Sequence, residues 1–211
     1  MTPLILALDT THEFGSLALR RGAGLLEEVT LHAPTGFAHV LYGHLGDLLA
    51  RHSTGLKDVD CFAAACGPGS FTGVRVGLAC IKGLAEAERK PAVAISNLQA
   101  LATFGTAALR ATVLDARRGE VFGGLFDAQC GPVGDETVSK LDPWLAGVPA
   151  GAEFITGDIE LPFAAIRAPR ALAGAIASLA LQEFVAGRAS DPAALDANYV
   201  RRSDAELFWK E

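Results

Sequence analysis

The stretch that most limits what this chain can be is AAACGPGSFTGVRVGLACIKGLA, residues 63–85. A short apolar run ends at a Gly-Pro-Gly loop, and a second apolar run follows that is too long for a typical strand. Val74, Val76, Leu78, Ile81, Leu84 and Ala85 recur along it. The pattern predicts a buried strand, a tight loop and a helix capped by Ser70 or Thr72. Gly73, Gly77 and Gly83 lower the propensity of that helix, so it needs close packing against another element in compensation.

A glycine loop between a strand and a helix invites comparison with phosphate cradles. The P-loop needs GxxxxGK and a hydroxyl, so that the lysine reaches the terminal phosphates. Here Gly69 and Gly73 are four apart, and Val74 stands where the lysine should be. The dinucleotide fingerprint fails too, since Gly67, Gly69 and Gly73 spell GxGxxxG. Two uses of the loop stay open on spacing alone. Its amides can face an anion at the helix start, or its glycines can make a tight turn and admit a close neighbour.

The rest of the chain surrounds this unit with strands and helices. Apolar runs at 4–9, 15–20 and 25–31 predict an antiparallel meander, and 37–52 predicts a helix. A strand at 59–66 leads into the glycine loop, a strand at 91–96 follows, and Ser96 or Asn97 caps a helix through LQALATF. Near residue 105 the pattern restarts, with strands at 111–116, 120–128, 133–139 and 152–158 and a helix at 170–187. The tail from DPAALDANYVRR is expected to dock back irregularly. Each half opens on a strand with an Asp near its end, LALDTT and TVLDARRGE, which suggests duplication. No low-complexity linker separates the halves, so they pack as one body.

Charge narrows the function classes. Eighteen Lys and Arg against 24 Asp and Glu give a net charge of −6, a poor endowment for holding a nucleic acid unaided. Any nucleic-acid role is therefore expected to need a partner. Cys61, Cys66, Cys80 and Cys130 have no zinc-like pairing and read as buried thiols of a reducing compartment. The apolar start stops at Asp9 and lacks a basic leader, and the most apolar helix is interrupted by Gln182 and Glu183. The expectation is a cytoplasmic protein with no membrane partner.

Candidate chemistry is sparse. Asp9, followed by Thr10 and Thr11, and its counterpart Asp115 fit either a magnesium–phosphate site or turn capping. His39 and His44 are five apart, off the spacing that puts two ligands on one helix face, and no metal site is expected. Ser70 in GPGSFTG is not a GxSxG nucleophile. Arg117 and Arg118 fit a turn that meets phosphates or carboxylates, or an ordinary solvated turn.

Three pieces, in order, resemble the TsaB (YeaZ-type) family, the accessory subunit of bacterial tRNA threonylcarbamoyladenosine synthesis. LALDTTHEFGSLAL is similar to that family's opening hairpin. CGPGSFTGVRVGLACIKGLA is similar to its GRGPGSFTGLRIG signature and the next helix, and LDARRGEVF is similar to its second-half loop. The resemblance covers about the first 125 residues, with an echo in ANYVRR. It implies an α/β fold of the actin-like ATPase (sugar kinase/Hsp70) type, with two related subdomains, each a mixed sheet with packed helices. These would be residues 1–104, with the GPGSFTG motif and partner-binding helices, and residues 105–211.

The resemblance also implies that the chain is no enzyme by itself. It would support a TsaD-type catalytic paralogue as a heterodimer, joined by a TsaE-type ATPase. The complex transfers threonylcarbamoyl to N6 of adenosine 37 in tRNAs reading ANN codons. No cofactor is implied on this chain, ATP and metal belonging to the partner subunits. tRNA would be reached only through the complex, and the same helix surface leaves a homodimer open when the chain is alone. The implied partner face comprises His39, Tyr42, Val74, Arg75, Gly77, Leu78, Ile81 and Lys82. Asp9, Thr10, Gly67, Gly69, Ser70, Thr72, Asp115, Arg117 and Arg118 would belong to vestigial nucleotide-cleft loops. The departures are Cys66 where Arg is frequent, Phe122 for Tyr, and His12 for a small hydroxyl residue. A small ATP-dependent kinase or ATPase of the same fold, with Asp9 and Asp115 around magnesium, is the alternative. A metal-free hydrolase lacks a nominated nucleophile.

Overall fold

The computed structural model describes residues 2–201. Side-chain alternation along the first strand sets the layers. In β1 (Leu4–Asp9), Leu4, Leu6 and Leu8 join one core and Ile5 and Ala7 the other, as period-two geometry requires. β2 (Phe14–Arg21) and β3 (Gly24–His32) continue as the expected antiparallel meander. β4 (Cys61–Ala65) pairs in parallel on the other edge of β1, and β5 (Ala92–Ile95) pairs in parallel with β4. The order is β3-β2-β1-β4-β5. β4 reads CFAAA and is buried throughout, the mark of a parallel strand covered on both faces.

Two helices cover the leucine face. α1 (Leu41–Arg51) contributes Leu41, Leu45, Leu48 and Leu49, and α2 (Phe71–Glu88) contributes Val74, Leu78 and Ile81. Fully burying each such side chain is worth roughly 1.5–3 kcal/mol. α1 begins four residues later than the periodicity predicts. Phe37 is buried but non-helical, and a Cβ on Gly15 would sit 2.7 Å from its ring. The Phe37 carbonyl accepts from the Val40 and Leu41 amides and so starts the helix.

The second half repeats the plan. β6 (Leu109–Arg117), β7 (Glu120–Asp127) and β8 (Thr137–Lys140) form an antiparallel meander. β9 (Glu153–Thr156) adds in parallel to β6, and β10 (Ile166–Arg167) in parallel to β9. The order β8-β7-β6-β9-β10 has the polarity of the first sheet. This is the actin-like fold of two related α/β subdomains. α4 (Leu141–Gly147) and the short β10 carry no clear periodicity and escape sequence reading. β8 starts at Thr137 and not at 133, because Gly134 turns the chain at φ +95°.

The last helix of each half packs on the sheet of the other. α3 (Asn97–Ala102) leaves β5 and lies on β6, β7 and β9, while α5 (Ala173–Val185) lies on β1, β2 and β4. Small residues permit the close approach: Ala7, Ala18, Ala63 and Ala65 of the first sheet share a core with Ala173, Ala177 and Ala180. Among the described residues, no helix is long and apolar enough to cross a membrane.

Candidate functional site

The glycine loop is shaped by what it hydrogen-bonds. Gly67 sits at φ +103°, a conformation that favours glycine, and the Gly67–Pro68 peptide is cis. The Gly67 amide donates to Asn97 Oδ1 at 3.2 Å, and its carbonyl accepts from the Asn97 amide at 2.9 Å. The Ser70 amide donates to the Thr11 carbonyl at 2.7 Å. Ser70 caps α2, its Oγ accepting from the Gly73 amide at 3.3 Å. Three amides of the supposed cradle, those of Gly67, Ser70 and Gly73, are therefore spent within the chain.

Beneath the loop lies a closed polar knot. Asp9 is 1% exposed. Its Oδ1 accepts from the Thr11 amide at 2.8 Å and the Thr11 hydroxyl at 2.7 Å. Asn97 Nδ2 donates to Thr11 Oγ1 at 2.8 Å and reaches Asp9 Oδ2 at 3.4 Å. Thr10 turns the other way, donating from its hydroxyl to the Gly73 carbonyl at 2.8 Å. The Thr10–Thr11 turn thus plugs the start of α2. A Cβ on Gly69 would lie 2.8 Å from Thr11 Cβ, one on Gly77 2.6 Å from Thr10 Oγ1, and one on Gly73 would overlap the Thr10 carbonyl oxygen. The glycines of the motif make room for the chain's own hairpin.

This geometry corrects part of the expected partner face. Val74, Leu78 and Ile81 are 3%, 6% and 1% exposed, and Gly77 is buried against Thr10. Val74, Leu78 and Ile81 join the leucine core because they share the face of α2 that meets β1 and β4. Lys82 is half-buried, its Nζ donating to the Ala193 carbonyl at 3.4 Å. His39, Tyr42 and Arg75 do lie at the surface. Beside them the outward face of α1 and α2 carries Gly43, Gly46, Ala79 and Gly83, all exposed, and a Cβ at any of the three glycines would meet nothing within 4 Å. The neighbouring Cys80 thiol of α2 raises the Tyr42 hydroxyl above its ordinary range.

The expected cleft residues divide likewise. A cleft of about 1410 Å³ runs between the subdomains, and Gly69, Ser70, Asp115, Arg117 and Arg118 line it. Asp9 and Thr10 are buried below its floor, Gly67 is buried behind Pro68, and Thr72 is exposed on the first turn of α2. Asp115 is engaged by its neighbours. Its Oδ1 accepts from the Arg117 amide at 2.7 Å, its Oδ2 meets Arg117 Nη1 at 3.3 Å, and its own amide donates to Asp158 Oδ1 at 3.0 Å. Arg117, Arg118 and Gly119 run left-handed at φ +63°, +55° and +70° to close the β6–β7 hairpin. Among the described residues, no group of three or more His, Cys, Asp and Glu side chains is arranged to hold a metal.

Sequence reading misses the tail's role. Described as far as Arg201, it crosses from one subdomain to the other, while Arg202 lies outside the described residues. The Asn198 amide donates to the Cys66 carbonyl at 2.8 Å, and Asn198 Nδ2 donates to Glu136 at 2.6 Å. Arg75 Nε donates to the Tyr199 hydroxyl at 3.0 Å, and Arg201 joins the Ala116 carbonyl to Glu120. Glu136 also accepts from Ser96, the cap of α3. Burial raises the Glu136 carboxyl above its ordinary range, while the Ser96 and Asn198 bonds pull it back. Cys66, in place of the family's frequent Arg, is a buried thiol pushed up to about 12 by desolvation and by Glu136. No periodicity marks Glu136 or Asn198 in the sequence, since both act through contacts far along the chain.

Comparison with known proteins agrees with this architecture. The family model described as "TsaD: tRNA N6-adenosine threonylcarbamoyltransferase" matches residues 35–189. The chain is 32% identical over 145 residues to "tRNA threonylcarbamoyladenosine biosynthesis protein TsaB" of Escherichia coli, covering 66% of this chain and 62% of that protein. It is 38% identical over 122 residues to the Haemophilus influenzae protein of the same name, covering 56% and 51%. The chain thus spans between half and two thirds of the length of these curated relatives. The solved structure "YeaZ from Pseudomonas aeruginosa" superposes with a TM-score of 0.79 at 28% identity, covering 93% of this chain and 99% of that one.

Proposed function

Because this chain belongs to the TsaB/YeaZ-type family, we propose that it is an accessory subunit in tRNA threonylcarbamoyladenosine synthesis. In this reading it supports a TsaD-type catalytic subunit and performs no transfer itself. One observation carries the reading. The loop that would cradle phosphates is filled by the chain's own Thr10–Thr11 turn, while α1 and α2 present open glycine positions beside exposed Tyr42. A closed loop argues against nucleotide chemistry here, and exposed small residues on both helices favour close approach by a partner's helices. The docking face narrows to His39, Tyr42, Gly43, Gly46, Ala79 and Gly83, while Arg75 turns to Tyr199 at the cleft. ATP and metal belong, on this reading, to the partner subunits, and two copies of the chain can use the same face when the paralogue is absent.

The test is reconstitution with the larger paralogue, its ATPase, tRNA and threonylcarbamoyl-adenylate, with modified adenosine quantified by mass spectrometry. Omission of this chain should abolish product. Gly83→Arg should lose both complex and product while the isolated chain keeps its native melting temperature. Equal product without the chain would defeat the proposal. ATP turnover by the chain alone would then favour the kinase reading, with Asp115 as the surviving carboxylate of the cleft.

A further inference from the structure

The cleft has a charge opposite to that of the chain. Its walls carry Arg75, Arg117, Arg118, Arg167, Arg170 and Arg201, and among the described residues the carboxylates facing them are Glu13, Asp115 and Asp158 of the lining and Glu120, which pairs with Arg201. The whole protein bears −6. Six of the chain's cations, all of them arginine, line this one groove. Arginine is the cation suited to bidentate phosphate contacts and to stacking on flat rings.

The arginines come from different elements of both subdomains. Arg75 stands on α2, Arg117 and Arg118 on the β6–β7 hairpin, Arg167 on β10, Arg170 just beyond it, and Arg201 on the tail. Their origin in both subdomains suits a chain of phosphates better than a single compact one. Rings are interleaved with them. The Arg75 guanidinium lies 3.8 Å from the centre of Phe71, and Phe71 and Tyr199 meet at 5.3 Å. Both rings are over 40% exposed. Arg170 lies 4.4 Å from the Phe14 ring. Exposed aromatic faces among guanidinium groups are the composition that stacks unpaired bases and tracks an RNA backbone.

We infer that this cleft is an RNA-backbone site that holds part of the tRNA while the partner performs the chemistry. The inference rests on the accessory-subunit reading and extends it, because that reading alone lets tRNA touch only the partner. Phosphates would lie along the arginine rim, and Phe71 and Tyr199 would meet bases at its mouth. The acidic remainder of the chain repels RNA elsewhere and so directs it to the groove.

The experiment uses the full chain in complex with the TsaD-type paralogue. The probe is an unmodified transcript of a tRNA that reads ANN codons, with affinity followed by fluorescence anisotropy over a salt series. Each lost phosphate contact lowers the salt slope by about 0.7–0.9. Arg117→Gln with Arg167→Gln should therefore flatten the slope by roughly 1.4–1.8 and weaken binding on the order of tenfold near physiological salt. A charge-matched control outside the cleft, Lys57→Gln with Arg89→Gln, should leave the slope unchanged. An intact variant complex with wild-type slope and affinity overturns the inference and leaves the accessory reading standing. Loss of paralogue or ATPase binding with tRNA affinity unchanged also overturns it, and makes the groove a dock for an acidic protein segment. Failure of the wild-type chain to join the paralogue defeats the accessory reading and this inference together.

Discussion

Alanine placed at Gly73, Gly77 and Gly83 should give three different outcomes on one helix. At Gly83 a Cβ meets nothing within 4 Å, so only helix propensity changes. The gain is about 1 kcal/mol. At Gly77 the same gain opposes a Cβ placed 2.6 Å from the buried Thr10 hydroxyl. Thr10 can rotate away only by giving up its bond to the Gly73 carbonyl, which orphans the hydroxyl at a cost of roughly 1–3 kcal/mol. Overpacking of about 1–3 kcal/mol applies if it stays. Either route, set against the gain of about 1 kcal/mol, leaves Gly77→Ala about 0–2 kcal/mol less stable than the parent. At Gly73 the obstacle is the Thr10 backbone carbonyl, and the turn that must move also receives the Ser70 amide. Gly73 lies in the first helical turn, where propensity returns less, so its loss should reach about 3 kcal/mol or more.

Urea denaturation of the isolated variants measures this order, with shifts in midpoint at constant slope. In thermal melts each kcal/mol should appear as about 2–4 °C for a chain of this size. The expected ranking is Gly83→Ala above the parent, then Gly77→Ala, then Gly73→Ala. If Gly77→Ala were as stabilising as Gly83→Ala, the Thr10 contact would not be what selects glycine there. The same series separates folding from assembly. A bulky residue at Gly83 that stabilises the chain yet loses the paralogue acts at an interface, whereas one at Gly77 would lose both for a reason internal to the fold.

Asn97→Ala removes a donor to Thr11 and Asp9 and an acceptor for the Gly67 amide. It should cost about 2–4 kcal/mol in a urea titration, because it strips a buried carboxylate of support, and a loss below 1 kcal/mol would contradict the knot described above. Glu136 has its folded-state carboxyl raised by burial, so the native state holds the proton more tightly than the unfolded chain does. Stability should therefore fall as pH rises above the ordinary glutamate value, and Glu136→Gln should remove that component. Parallel pH–stability curves for parent and variant would refute this. Cys61, Cys66, Cys80 and Cys130 are all buried, and burial raises all four thiols, those of Cys61 and Cys66 to about 12. A thiol-specific reagent should leave the native protein unlabelled and add four groups after denaturation, counted by intact mass. Rapid native labelling of any one would show that the core opens there.

Local signals were legible in the sequence where burial repeats with a period. β1, β4 and α2 announce themselves because both faces of the strands and one face of the helix are apolar. Ser70 and Ser96 are recognisable caps, each accepting from the first turn of its helix. The duplication is only faintly visible in residues but plain in topology, since strand order and polarity constrain few side chains. α4 and β10 were hidden for a related reason, as seven and two residues are too few to establish a period.

The site was harder to read because its defining feature is a relation between distant segments. GPGSFTG has the composition of an anion loop, and nothing within the motif says that Thr10 and Thr11, some sixty residues earlier, occupy it. Glycine spacing reports only that something approaches closely. In an ATPase that visitor is phosphate, and here it is the protein's own backbone, with the same demand for a missing Cβ. The same ambiguity affects the expected partner face. Helical periodicity finds the apolar stripe of α2, but the stripe serves the core, and the surface left for the proposed partner is the quieter one of Ala79 and Gly83. What identifies that surface is what it lacks: no Cβ at Gly43, Gly46 or Gly83, and no neighbour within 4 Å to explain why. A glycine with an internal visitor is accounted for by the fold, and one with none on an exposed helix costs stability with nothing in the chain to offset it. That unexplained cost is the physical reason to look for the second protein there.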